Sequence, residues 1–352
     1  MNVVVAIDSF KGCLCSAEAN RAAAEGVHAA CPTAKVREVT VSDGGEGFLD
    51  AFYDAIGGEI VRVTVKDPLE RDVEARFLLK SETAVLEVAE ACGLNRVKPK
   101  ERNPLKATSY GVGQLLTEAV SRGAKRLIVG LGGSATSDAG QGMLEALRAG
   151  SFLTDNRQSR TEGLEVIIAT DVDNPLCGEN GAARVFAPQK GASKEMVELL
   201  DAQARMFAEE TAQTMGFDCS GELGAGAAGG LGYAFMQFLR AKRRSGIEVL
   251  LEALRWDEWI GEADLILTGE GCTDRQTLMG KLPKGILRHA KGVPVYLLAG
   301  QVRDRDLLLQ AGFADVRSIN PPDLPLTEAL RKEVATNNLR LAAQAIISGS
   351  KD

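Results

Sequence analysis

Short apolar runs constrain this chain more than any other feature. VVVAID, VREVTVSDGGEG, RLIVGLGGSAT, LEVIIATDV, ADLILTGEG and VPVYLLAG are each rich in Val, Ile and Leu and end in a polar or glycine-bearing loop. Several lead into helix-like stretches of Ala, Glu, Leu and Arg, such as SAEANRAAAEGVHAA and GVGQLLTEAVSRGA. A strand that is apolar on both sides must be covered on both faces, and strands alternating with helices pair in parallel. The pattern predicts an α/β fold. Ligands of such sheets gather at the carboxyl ends of strands, where strand order reverses. There the chain reads Asp8, Asp43, Gly132, Asp171 and Glu270.

A second texture interrupts the first. EIVRVTVKDPLERDVEARFLL alternates apolar and polar residues on both sides of KDPLER, which predicts an antiparallel hairpin. From about 150 to 260 the chain is richer in loops. At 352 residues it is long enough for two cores. The expected division is an α/β domain of 1–57, about 105–150 and about 261–352. An interleaved, smaller α+β domain takes about 58–104 and about 151–260.

Composition removes several functions. A net charge of −7 with no Lys/Arg-rich block argues against a nucleic-acid partner, which requires a basic stripe. No apolar run approaches the roughly 18–20 residues needed to span a membrane. The seven cysteines are scattered, odd in number and form no CxxC pair, which predicts free thiols and a cytoplasmic setting. HExxH, GxSxG and His-rich clusters are missing, so zinc proteolysis and serine hydrolysis lose their usual supports. His28 and His289 both fall in helix-like stretches and read as core or surface residues.

The stretch VGLGGSATSDAGQGM, residues 129–143, holds five glycines directly behind an apolar run. Glycines let backbone N–H groups converge on an anion, and the helix that AGQGMLEALRA predicts would add its positive end. No Walker pattern occurs, since Leu282 follows Gly280-Lys281 where Ser or Thr would stand. A GxGxxG match at Gly224, Gly226 and Gly229 follows no buried strand and reads as close backbone packing or a second ligand loop. IDSFKG puts Asp8, Ser9 and Lys11 past the first strand, SDGGEG puts Asp43 and Glu46 past the second, and TGEGCTDRQT puts Glu270 and Asp274 on another strand-end loop. Singly each motif reads as a cap or turn. Jointly they place carboxylates and a lysine beside an anion loop, a combination suited to Mg²⁺.

These blocks carry a resemblance. AIDSFKGCLCSAEA, VSDGGEGFLDAF, GLGGSATSDAGQGM, ATDVDNPLCGENGAARVFAPQKGA, GAGAAGGLG and LTGEGCTDRQTLMGKLPKGI resemble, in order, the signature blocks of the bacterial glycerate kinase family, class I. The resemblance implies phosphorylation of D-glycerate with ATP and Mg²⁺, at the 2-hydroxyl, by a two-domain enzyme in which a Rossmann-like parallel-sheet α/β domain and the interleaved α+β domain have an active-site cleft between them. Phosphorylation at the 3-hydroxyl or of a related hydroxy acid, and a nucleotide-dependent hydroxy-acid oxidoreductase, stay open, as does monomer or homodimer. The chain departs from the family's usual pattern at Cys13 and Cys15 (serine), Ala139 (glycine) and Leu223 (proline), and the segment over 148–165 reads as shortened. The methyl of Ala139 is expected to crowd a backbone-to-phosphate approach.

Phosphoryl transfer needs charge neutralisation, in-line geometry and a proton acceptor. On that basis Gly132 and Gly133 N–H groups, with the Ser134 and Thr136 hydroxyls, are assigned to the nucleotide phosphates. Lys11 is the cation near the transferring group, and Asp43 and Glu270 are the Mg²⁺ candidates. Asp171 is the expected base, with Asp8 as its runner-up. Ser9 is expected at the substrate, whose carboxylate takes Arg102 or Lys281.

Overall fold

A computed structural model describes residues 1–152 and 163–349. Among the described residues eleven strands follow in order: β1 (Asn2–Ile7), β2 (Lys35–Glu38), β3 (Glu59–Lys66), β4 (Asp72–Lys80), β5 (Thr83–Glu87), β6 (Arg126–Gly130), β7 (Glu165–Ala169), β8 (Lys242–Arg244), β9 (Leu265–Thr273), β10 (Val295–Val302) and β11 (Asp315–Ser318). The chain divides into two compact units. The first comprises Met1–Asp43, Asp50–Ile56 and Ile247–Asp352, and the second Gly44–Leu49 and Gly57–Gly246.

The first unit is built on a five-stranded sheet of order β11-β10-β9-β1-β2, parallel throughout. β1 is a β-branched run whose Val3, Val5 and Ile7 pack against Ala19, Ala23 and Val27 of the helix Ser16–Ala30. Leu339, Ala343 and Ile346 of the helix Lys332–Gly349 join the same core. The chain runs from β1 to β2 on one side, while β9, β10 and β11 build outward on the other. Strand order therefore reverses between β1 and β9, and the crevice at their carboxyl ends is the place for a ligand.

The second unit has a six-stranded mixed sheet of order β3-β4-β5-β6-β7-β8. β3 and β4 form the expected antiparallel hairpin, with Val61 opposite Phe77. Its turn is organised by the buried Asp67, whose Oδ1 accepts from the N–H groups of Leu69 (2.8 Å) and Arg71 (2.9 Å). β5 through β8 are parallel.

Two expectations need correction. Residues 105–150 belong with the second unit, because β6 hydrogen-bonds to β5 and β7 and shares no ladder with β1. The second unit is consequently the larger, and three of the five strand pairings in its sheet are parallel. A run such as RLIVG states that a strand is buried on both faces without naming its neighbours. The region 150–260 also carries a 22-residue helix, Lys194–Met215, capped at Ser193 by a hydrogen bond from the N–H of Met196. Residues 153–162, most of the segment expected to be shortened, lie outside the described residues. Among the described residues no helix is long and apolar enough to cross a membrane, and all seven cysteines are free.

Candidate active site

In the first unit, side chains of the helix Ser16–Ala30 tie down the carboxyl ends of β1 and of the segment after β2. Asn20, 1% exposed, accepts from the N–H of Ile7 (2.9 Å) and donates to the carbonyl of Val39 (2.7 Å). Ser16 Oγ donates to the carbonyl of Ile7 (2.6 Å) and accepts from the N–H of Val41 (3.0 Å). Asp8 and Asp43 follow these anchored residues in the chain. The N–H of Asp8 donates to the carbonyl of Gly269 (2.9 Å), and Ile7 pairs with Gly269 in the ladder. Asp8 and Glu270 therefore come next to each other on adjacent parallel strands. Asn20 and Ser16 carry no sequence signal beyond two polar residues on an alanine-rich helix face.

Burial, with the neighbouring charge of Asp43, pushes the Asp8 carboxyl up to about 8. The Ser9 N–H, donating to Asp8 Oδ1 at 2.7 Å, and the charge of Lys11 work in the opposite direction, while Glu270 adds to the rise. Lys11 itself is exposed, on a tight turn closed by paired bonds between Phe10 and Leu14. Glu270 is 7% exposed and sits inside β9 rather than on the loop after it. β10 continues the ladder beyond it, pairing Gln301 with Cys272 and Val302 with Thr273. Burial raises its carboxyl above the usual range. Thr277 Oγ1 donates to Glu270 Oε1 at 2.5 Å, and the Lys281 ammonium stands 3.5 Å from Oε2. Thr277, fully buried, in turn accepts from the N–H of Asp274 (3.2 Å) and lies 2.9 Å from Thr273 Oγ1. The structure thus brings Asp8, Ser9, Lys11, Asp43, Glu270 and Lys281 to one sheet edge.

The second unit holds the glycine-rich loop, with Arg102 and Asp171. Here three expectations change. The N–H of Gly132 donates to the carbonyl of Gly44 at 2.8 Å and is not available to a ligand. Thr136 is fully buried, its hydroxyl beside the Cys92 thiol. The amides at the start of the helix Gln141–Ala149 already face an anion, the chain's own Asp138. That carboxylate accepts from the N–H groups of Gly140 (3.1 Å), Gly142 (3.2 Å) and Ser109 (2.8 Å), and from Ser109 Oγ (2.7 Å). What remains for phosphate is Gly133, left-handed at φ 76°, and the Ser134 hydroxyl.

Lys190 is the residue that sequence reasoning passed over. Its ammonium, 3% exposed, donates to the carbonyl of Thr136 (2.6 Å) and to Ser134 Oγ (3.0 Å). Its only sequence signal is its place in the APQKGA block. Arg102 lies against Gly191, where a Cβ would meet the Arg102 carbonyl oxygen at 2.9 Å, and its buried Nε makes no hydrogen bond among the described residues. Asp171 follows β7 by two residues. Gly44 lies so close to that strand end that a Cβ there would meet the Ala169 oxygen at 2.6 Å. The two expected substrate cations, Arg102 and Lys281, fall in different units.

The expected GxGxxG packing role is met. A Cβ on Gly229 would lie 1.9 Å from the Thr136 oxygen, and one on Gly226 would lie 2.3 Å from the Pro175 oxygen. The Ala139 methyl points into this packing. It is 1% exposed and clusters with Leu176, Ala225 and Tyr233. Its backbone is left-handed at φ 53°. Ala139→Gly relieves about 1 kcal/mol of strain but loses about 0.8 kcal/mol of methyl burial and about 0.5–1 kcal/mol in chain entropy. Thermal melts within about 1 kcal/mol of wild type and unchanged ATP affinity are expected; tighter ATP binding would show that the methyl crowds the ligand.

Comparison with known proteins bears on what this arrangement does. The sequence profile described as Glycerate kinase family matches residues 3–350. A "Glycerate kinase" from Bacillus subtilis (strain 168) is 39% identical over 378 residues, covering 100% of this chain and 98% of that protein. A "Glycerate 2-kinase" from Escherichia coli (strain K12) is 38% identical, covering 94% and 93%. The crystal structure of a candidate glycerate kinase 2 from Salmonella typhimurium LT2 superposes with a TM-score of 0.79 at 35% identity, covering 100% and 98%.

Proposed function

The chain belongs to the glycerate kinase family, and on that premise we propose that it transfers the γ-phosphoryl group of ATP to the 2-hydroxyl of D-glycerate, giving 2-phosphoglycerate and ADP. The observation that carries this reading is the cluster of Asp8, Lys11, Asp43, Glu270 and Lys281 at the point where strand order reverses. The choice of the 2-hydroxyl is supported by the name of the Escherichia coli relative. The reaction belongs in the cytoplasm, in keeping with seven free cysteines.

The roles follow from charge and burial. The substrate oxygen attacks Pγ, the bond from Pγ to the ADP oxygen breaks, and the hydroxyl proton passes to a carboxylate. Asp8 fits that last role better than Asp171, because a carboxylate whose affinity for a proton has been raised to about 8 is a competent base near neutral pH. Lys11 places a positive charge beside Asp8, where charge develops on the transferring group. Ser9 holds Asp8 Oδ1 through its N–H, and Lys281, opposite Glu270, is the cation for the substrate carboxylate. Gly133 and Ser134 receive the nucleotide phosphates.

Among the described residues no three acidic, histidine or cysteine side chains form a metal cage. That is compatible with Mg²⁺, which takes one or two carboxylates and completes its shell with water and phosphate oxygens. Asp43, whose charge disfavours that of Asp8, and the buried Glu270 would hold it, and it would neutralise phosphate charge there.

An ADP-release assay across small hydroxy acids, followed by ³¹P NMR of the product, tests the proposal. Turnover confined to D-glycerate with a 2-phospho product is the expected result. A 3-phospho product, or turnover faster on another hydroxy acid, overturns the substrate assignment.

A further inference from the structure

Lys190 is a buried cation that, among the described residues, forms no ion pair. It closes the 3₁₀ turn Pro188–Lys190, which Ala183 and Ala187 seat against Val197 and Leu200 of the helix Lys194–Met215. Among the described residues its ammonium makes two hydrogen bonds, to Ser134 Oγ and the Thr136 carbonyl, and no ion pair. Neither nearby acidic group pairs with it. Burial pushes the Cys92 thiol up to about 12, so it stays neutral, and the Asp138 carboxylate, bound by four other donors, favours the ammonium only through its charge at a distance. Arg102, at the next turn, is a second cation. An uncompensated buried charge costs several kcal/mol and persists only where something offsets it.

The bond to Ser134 has a direction. An ammonium can only donate, so Ser134 Oγ is the acceptor and its own hydrogen must point elsewhere. Lys190 thereby leaves the Ser134 hydroxyl hydrogen to donate to another group, and its charge strengthens that donor. We propose that Lys190 is a positioning residue of the glycine-rich loop, orienting the Ser134 hydroxyl and supplying the positive field that binds the ATP phosphates. The inference rests on the assignment of this loop to the nucleotide. A pH dependence accompanies it. Burial lowers Lys190 to about 8, against the opposing effect of the Asp138 charge. The neutral amine can accept a hydrogen bond from the Ser134 hydroxyl and so reverse the bond, weakening ATP binding as pH rises.

The test is calorimetric titration of ATP, in EDTA, into wild type, Lys190→Met, Lys190→Arg and Ser134→Ala from about pH 7.5 to about pH 9.5. Lys190→Met is expected to weaken ATP by about tenfold or more at the lower pH, the scale of a charge-assisted bond, and to leave D-glycerate affinity within about twofold. Lys190→Arg restores part of the affinity, and both lysine variants lose less affinity than wild type as pH rises. Should Lys190→Met not fold, the steeper wild-type pH dependence relative to Lys190→Arg still decides. Equal ATP affinity in wild type and Lys190→Met, with Ser134→Ala weakened, overturns the role of Lys190 alone. If Ser134→Ala also binds ATP as wild type does, the loop is not the phosphate site and the reading beneath it falls.

Discussion

Asp8→Asn is expected to raise the thermal midpoint of the metal-free protein at pH 8 while lowering kcat by about 10²–10⁴-fold. The unfolded chain releases the Asp8 proton near 3.8, and the folded protein holds it to about 8. Between those values the unfolded state carries fewer protons, so stability falls as pH rises through the window. Below about pH 4 Asp8 contributes no penalty, and by pH 8 and above its ionised form bears the full one. Asparagine has no charge to bury beside Asp43 and Glu270. The advantage of the variant should therefore grow from nothing near pH 4 to at most a few kcal/mol at pH 8, less where solvent screens the pair. Melts in EDTA at several pH values, with kcat measured alongside, check both halves. Asp171→Asn serves as the comparison, since that carboxylate stands after β7 in the second unit. A larger kcat loss at Asp171, or an Asp8→Asn protein less stable than wild type at pH 8, would remove Asp8 as the base.

Gly132→Ala should damage the fold rather than the ligand site. A Cβ there would lie 2.2 Å from the Cα of Gly45, 2.9 Å from its nitrogen and 3.0 Å from the Gly44 oxygen. All three are backbone atoms, and the Gly132 N–H is itself bonded to that oxygen, so neither loop segment can yield alone. A loss of about 3–5 kcal/mol is expected, lowering the midpoint by on the order of 10 °C. Gly133→Ala is the contrast. Its Cβ would meet only the Ala89 methyl at 3.4 Å, and the penalty is the left-handed φ of 76°, about 1 kcal/mol. Thermal melts of the two variants separate the roles. A Gly132→Ala protein that melts like wild type but binds ATP poorly would return this glycine to the ligand.

Much of the architecture was legible in short windows of residues. β-branched runs buried on both faces announced parallel strands, and the alternation around KDPLER announced the hairpin, because both patterns depend only on which side of a strand faces water. The strand-tip residue Asp8 was legible for the same reason, since a polar residue ending a buried run has nowhere to go but the sheet edge, whereas Asp43 lies beyond β2, a strand that is itself largely exposed. Which strands become neighbours was decided only by the tertiary structure. β6 joined β5 and β7 through ladder bonds between segments distant in the chain, and no local pattern encodes that choice. The functional meaning of the glycines was decided there as well. Gly132 is glycine because Gly44 and Gly45 pass against it, and Asp138 rather than a ligand occupies the amides after it. Lys190, Asn20 and Thr277 act through partners 54, 13 and 7 residues away, respectively, so their identity as clamps exists only once the chain has folded.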